Sequence, residues 1–139
     1  MYADLTTFIE AYGEQLTIEL TNLEDPSAAT VNETVLNRGL ARASALIDSY
    51  LAGRYALPLS STPAVIETFC LDIARYYLGH NAQEEDVRLR YEDALKTLAL
   101  IADGTLTLGL PLADQPPAVG SPRYLSPGAV FTRSTLEGY

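Results

Sequence analysis

Cysteine and histidine each occur once, as Cys70 and His80, and lysine occurs once, as Lys96. A lone cysteine excludes an intrachain disulfide and fits a reducing compartment. One histidine, one cysteine and scattered carboxylates make no tetrahedral zinc set at a recognisable spacing. No run approaches the roughly 18 consecutive apolar residues of a membrane-spanning helix. The opening Met1-Tyr2-Ala3-Asp4 lacks the basic stretch and apolar run of a signal peptide. The glycines form neither G-x-G-x-x-G nor G-x-x-x-x-G-K-S/T, so no phosphate cradle and no cofactor are implied. Bases are scarce, nine against 18 acids for a formal net charge of −9. That excess argues against a protein whose task is gripping nucleic-acid phosphates.

What is present suits one ordinary domain: 139 residues, 47% hydrophobic and 19% charged. A chain of this length buries roughly two thirds of its unfolded surface and needs neither disulfide nor metal to fold. The charges are unevenly placed. Residues 1–37 hold seven acids and no base, residues 38–109 nine acids and seven bases, and residues 110–139 two of each. Eight of the nine bases are arginine, whose planar fork suits fixed ion pairs and interfaces.

Apolar spacing reads as helix over the first hundred residues. Leu36, Leu40, Ala43, Ile47, Tyr50 and Leu51 recur as one helical face, with Thr30 or Asn32 as cap, Glu33 at the positive end and Gly53 as stop. Thr62-Pro63 announces a second helix, as a cap followed by proline at the first helical position; its face is Ile66, Phe69, Cys70, Ile73 and Tyr77, ending near Gly79. Glu84-Glu85-Asp86 opens a third, with the stripe Val87, Tyr91, Ala94, Leu98, Ile101 and Gly104 at its close. Thr6 to Tyr12 and Glu14 to Leu20 read as short helices, too brief to stand without docking. The expected fold is all-α: a compact bundle of three long and two short helices over residues 1–109. Residues 110–139 form an extended arm, because Pro111, Pro116, Pro117, Pro122 and Pro127 forbid helix. Within that arm, Ala129 to Arg133 reads as a short β-like run able to pair with an edge supplied by something else.

Catalytic candidates are few. Cys70 falls on the apolar face of its helix, where a thiol is inert packing, and His80 follows the Gly79 stop. Glu84-Glu85-Asp86 has the oxygen chemistry of a hard-cation site. Its residues point in different directions on a helix start, however, and the dipole accounts for them. Counting does not exclude a serine or cysteine hydrolase system, but none is indicated and no enzyme is expected. Arg38 and Arg42 stand one turn apart, and Arg88 with Glu92 and Arg90 with Asp93 read as intrahelical pairs, leaving no basic stripe.

One stretch is more specific: Ile47-Asp48-Ser49-Tyr50-Leu51-x-x-Arg54-Tyr55-x-Leu57-Pro58-Leu59, with Asp72-Ile73-Ala74-Arg75-Tyr76 and Arg90-Tyr91-x-x-Ala94-Leu95-x-x-Leu98. These segments resemble a Mu-like bacteriophage protein family, itself similar to the head–tail connector (neck adaptor or head-completion) proteins of tailed phages. The likeness covers roughly residues 2–109, and the ending Phe131-Thr132-Arg133 to Leu136-Glu137-Gly138-Tyr139 also fits; the loop Asn22 to Thr30 is longer than the pattern.

The resemblance implies a structural subunit, made in the host cytoplasm and built into the virion. It would form a homo-oligomeric ring against the portal protein, meet a neck or tail protein, and let DNA pass without specific binding. It implies no membrane and no catalytic residue. Under it, Arg54, Tyr55, Leu57 and Pro58 are candidate subunit contacts, with a buried interhelical loop in which Leu57 and Leu59 plug the core as the competing reading. Phe131, Arg133, Leu136 and Tyr139 are candidate contacts of the arm. Asp4, Glu10, Glu14 and Glu19 are candidate channel-facing acids, where negative charge would keep DNA from sticking. A non-enzymatic helical module binding a single phage or host protein is the alternative.

Overall fold

The computed structural model describes residues 1–79 and 84–113. These form five helices: α1 (Leu5–Tyr12), α2 (Glu14–Thr21), α3 (Glu33–Leu51), α4 (Ala64–Leu78) and α5 (Glu85–Asp103). The architecture is all-α, and α4 packs between α3 and α5 while α1 and α2 lie against α3. Leu36, Leu40, Ala43, Ile47 and Leu51 of α3 meet Ile66, Cys70 and Ile73 of α4 and Ala94, Leu98 and Ile101 of α5 in one core. The aliphatic positions of the expected stripes are buried, whereas Tyr50 of α3 and Tyr91 of α5 are only half-buried, and the α4 face widens. Phe69 and Tyr77 are only half-buried, whereas Ala74, Arg75 and Leu78 complete the inner face of α4. A helix with neighbours on two sides buries more than one stripe.

Local chemistry sets the helix ends. The Asp4 carboxylate accepts from the Thr7 amide while the Thr7 hydroxyl accepts from the Asp4 amide, both at 2.9 Å, a reciprocal capping box. Asn32, one of two expected caps, starts α3 by accepting from the Val35 amide at 3.3 Å. Thr62 caps nothing: α4 begins after Pro63, which sits at the cap position in extended conformation with no side-chain bond. The Pro63 carbonyl takes the Ile66 and Glu67 amides instead.

Gly13 alone separates α1 from α2, at φ 88° and ψ 151°, a combination open essentially to glycine. It lets two short helices meet at a corner. The hydroxyls of Thr17 and Thr21, buried in α2, donate back to the Gly13 and Thr17 carbonyls at 2.7 and 2.8 Å. The Thr21 hydroxyl also accepts from the Asn32 amide at 3.0 Å, and the Asn22 amide group donates to the Thr30 carbonyl at 2.9 Å. The long Asn22–Thr30 loop is thereby closed at its base.

Residues 110–113, the start of the expected arm, stay on the bundle. Leu110 packs against the core, Leu112 forms an isolated antiparallel bridge with Tyr55, and the Ala113 amide donates to the Arg54 carbonyl at 2.9 Å. Among the described residues no helix is long and apolar enough to cross a membrane.

Candidate functional site

The Arg54–Leu59 run leaves α3 beyond Leu51 and meets the segment that follows α5. Its residues divide sharply. Tyr55 is 1% exposed, and its hydroxyl accepts from the Leu108 amide at 3.0 Å. Tyr55 therefore belongs to the interior and offers no surface to a neighbour. Leu57 is 38% exposed and Pro58 is exposed beside it across a cis peptide, while Leu59 is partly buried against the core. Of the expected core plugs, Leu59 packs and Leu57 does not. Tyr55, buried in the core cluster, takes the inward position in this loop.

Arg54 is half-buried, with its guanidinium over Gly104, the left-handed residue (φ 89°) that ends α5. A side-chain carbon at Gly104 would lie 2.0 Å from Arg54 Nη1, so only glycine lets the cation approach the carbonyl-rich helix end, where positive charge is favoured. Asp103 is held below the usual carboxylate range, first by the Thr105 hydroxyl and amide and to a lesser degree by Arg54. Leu57 and Leu112, 54% exposed, thus flank a locked junction from which residues 114–139 continue. Phe131, Arg133, Leu136 and Tyr139, the Ala129–Arg133 run and His80 lie outside the described residues.

The four candidate acids are all exposed. Asp4 is occupied as the α1 cap, and Glu19 accepts from the Gln15 amide group at 3.1 Å. Glu10 and Glu14 stand on either side of Gly13 with no base in ion-pair reach among the described residues.

The basic side chains depart from expectation in one respect. Arg88 pairs with Glu92 at 2.8 Å as expected, but Arg90 pairs with Asp86 at 3.2 Å rather than Asp93, which takes Lys96 at 3.7 Å. An acid placed N-terminal to its base by four residues is the better geometry. Arg38 and Arg42 reach no carboxylate among the described residues. The Arg42 guanidinium lies 4.5 Å from the Tyr77 ring centre, and Tyr77 adjoins a stack of Tyr76 on Tyr91 at 3.9 Å. The signal for this was available: no acid stands three or four residues from either arginine.

Titratable chemistry is sparse. Cys70 is wholly buried, 3.5 Å from the Ser44 hydroxyl, and burial pushes its thiol up, away from a reactive thiolate. No cluster of three or more metal-ligating side chains occurs among the described residues.

The exception is Asp72, whose carboxylate accepts from the Tyr12 hydroxyl at 2.9 Å and tethers α1 to α4. Burial raises its pKa above the ordinary 3.8 despite that bond. The folded state therefore holds the proton more tightly than the unfolded chain. Stability contributed here is complete below the ordinary value and is lost as pH rises through the raised one. Asp72→Asn, which keeps an acceptor for Tyr12, is expected to be more stable than the parent at neutral pH, with the difference vanishing in acid. Paired urea titrations across pH check this; a variant less stable at neutral pH would show that the charge is favourable.

The model of the family described as "Bacteriophage Mu, Gp36" matches residues 2–124. The chain is 36% identical over 140 residues to the Mu-like prophage FluMu protein gp36 of Haemophilus influenzae, covering 100% of this chain and 98% of the relative. It is 34% identical over 79 residues to gene product J of Escherichia phage Mu, covering 57% of this chain and 56% of that protein. The matched region runs through the helical body, the Tyr55–Leu112 junction and the start of the proline-rich stretch. The chain belongs to the bacteriophage Mu Gp36 family.

Proposed function

We propose that this phage protein is a non-enzymatic head–tail adaptor. It is a subunit that assembles as a ring at the portal vertex, extends the DNA channel and presents a surface to the next neck or tail protein. The observation that carries this reading is the junction. Tyr55 and Arg54 anchor Leu112 and Ala113 on the bundle, so the last part of the chain departs from a fixed point beside exposed Leu57 and Pro58. A helical body that holds residues 112 and 113 in place beside exposed apolar side chains is suited to meeting a neighbour. The net charge of −9 suits a wall past which DNA slides without binding. The subunit is made in the host cytoplasm and ends in the virion, with the portal protein on one side.

The test is assembly of particles with the gene for this chain deleted. Heads filled with DNA but lacking tails, rescued by the chain supplied in trans, and closed rings in negative stain are the expected results. Complete, infectious particles without it would overturn the adaptor reading. A chain absent from purified virions but bound to one phage or host protein would favour the single-partner module.

A further inference from the structure

Seven arginines and lysines lie among the described residues. Arg75, Arg88, Arg90 and Lys96 each reach a carboxylate, and Arg54 sits over the end of α5. Arg38 and Arg42 do neither. They stand exposed one turn apart on α3, a like-charged spacing that is itself unfavourable. They border a groove of about 630 Å³ that also touches Tyr77. Glu24 and Asp25 also line it without ion-pairing to either arginine; Asp25 instead accepts from the Ser27 amide and hydroxyl. Arginine against tyrosine is the composition of an energetic contact, and what this face lacks is a carboxylate from outside.

The chain carries the complement. Glu10 and Glu14 at the α1–α2 corner, with Glu19 on α2, are exposed and belong to the stretch that holds no base. Among the described residues no ion pair joins these acids to Arg38 or Arg42, although the end of α2, Leu20 and Thr21, lines the same groove. The Tyr2 amide donates to Ser44 and the Tyr2 hydroxyl to Asp48, so the segment leading into α1 docks on that flank of α3. Ser44 and Asp48 each lie six positions beyond Arg38 and Arg42, which at about 100° per residue places the two flanks roughly 120° apart. Two different, complementary patches on one subunit make head-to-tail contacts, which give a ring where the rotation between copies closes.

We infer that Arg38 and Arg42 of one copy receive Glu10, Glu14 and Glu19 of the next, with Tyr77 as the apolar floor of the contact. The inference rests on the ring reading and moves these three acids from the channel wall to the seam between subunits. Duplex DNA is the poorer occupant, because two arginines on a chain of net charge −9 offer too few phosphate contacts to hold a duplex.

Sedimentation of the full-length chain over a wide concentration range, at low and high salt, tests the seam. Arg38→Glu with Arg42→Glu is expected to weaken self-association at least about tenfold, and Glu10→Arg with Glu14→Arg and Glu19→Arg likewise. All five changes in one chain should restore association, and salt should weaken that of the parent. These positions are exposed, so unchanged helical circular dichroism serves as the folding control. A parent chain that stays monomeric throughout, association indifferent to R38E/R42E, or a five-fold variant no better than its parts would each overturn the seam. So would loss of duplex-DNA retention with association intact, or slowed DNA ejection by the acid variant with association intact. Counting the chain in purified virions keeps the two readings apart. Full incorporation of R38E/R42E refutes the seam while the ring stands, and absence of the parent chain refutes the ring.

Discussion

Tyr55→Ala is expected to destabilise the protein by about 3–5 kcal/mol, the range for deleting a fully buried aromatic side chain. Tyr55 packs between the exit of α3 and the segment after α5 and is among the largest fully buried side chains of the described residues. Its hydroxyl adds a second contribution by accepting from the Leu108 amide at 3.0 Å. Tyr55→Phe keeps the ring and removes the acceptor of that part-buried amide, so it should cost about 0.5–1.5 kcal/mol, the net contribution of a typical hydrogen bond. Urea unfolding with an unchanged slope measures both. The alanine variant should also release residues 106–113, whose amides at Leu108 and Ala113 bond to this loop. Hydrogen exchange at those two amides would then accelerate before exchange in the core of α4. A Tyr55→Ala variant within about 1 kcal/mol of the parent would contradict the cavity argument and free Tyr55 to be a surface contact after all.

That residue also shows where sequence stops being informative. The three long helices were legible from apolar stripes at helical spacing, and Gly13, Gly79 and Gly104 end α1, α4 and α5 where expected, whereas α3 stops at Leu51, two residues before the expected Gly53. The loop between α3 and α4 has no period to read. Whether Tyr55 or Leu57 turns inward depends on the path of residues 104–113, some fifty positions away, so composition alone pointed to both leucines. The Thr62-Pro63 pair misled for a local reason: with Pro63 extended at the cap position, its carbonyl starts the ladder and leaves Thr62 no amide to cap. The charged surface was half legible. Arg88–Glu92 followed from spacing, whereas Arg90 had an acid on each side and chose the one N-terminal to it. The Arg38–Arg42 face was visible only as a missing pattern, and Tyr77 beneath it comes from another helix.

Phe8→Ala is the other change expected to reach about 3–5 kcal/mol, but its effect should be confined to one part of the molecule. Phe8 is the one wholly buried residue of α1, with the Tyr12 ring 4.8 Å away. Helices of eight residues do not persist in water without docking. α1 is otherwise tied down by the polar contacts of Tyr2 with Ser44 and Asp48 and of Tyr12 with Asp72. These bonds hold the flanks of α1 and leave the space vacated by the Phe8 ring unfilled, so they do not replace its apolar burial. Phe8 joins the same buried cluster as the inner faces of α3, α4 and α5, but those three helices pack chiefly on one another. Native-state hydrogen exchange should therefore show α1 and α2 opening below the global free energy, with α3–α5 protection little changed. Because Glu10, Glu14 and Glu19 ride on these two helices, the same variant should assemble poorly even where its core remains folded. Tyr12→Phe, which removes only the bond to Asp72, should do neither to the same degree. Uniform loss of protection across all five helices would instead make the acidic pair part of a single cooperative unit, and the link between its docking and assembly would have to be abandoned.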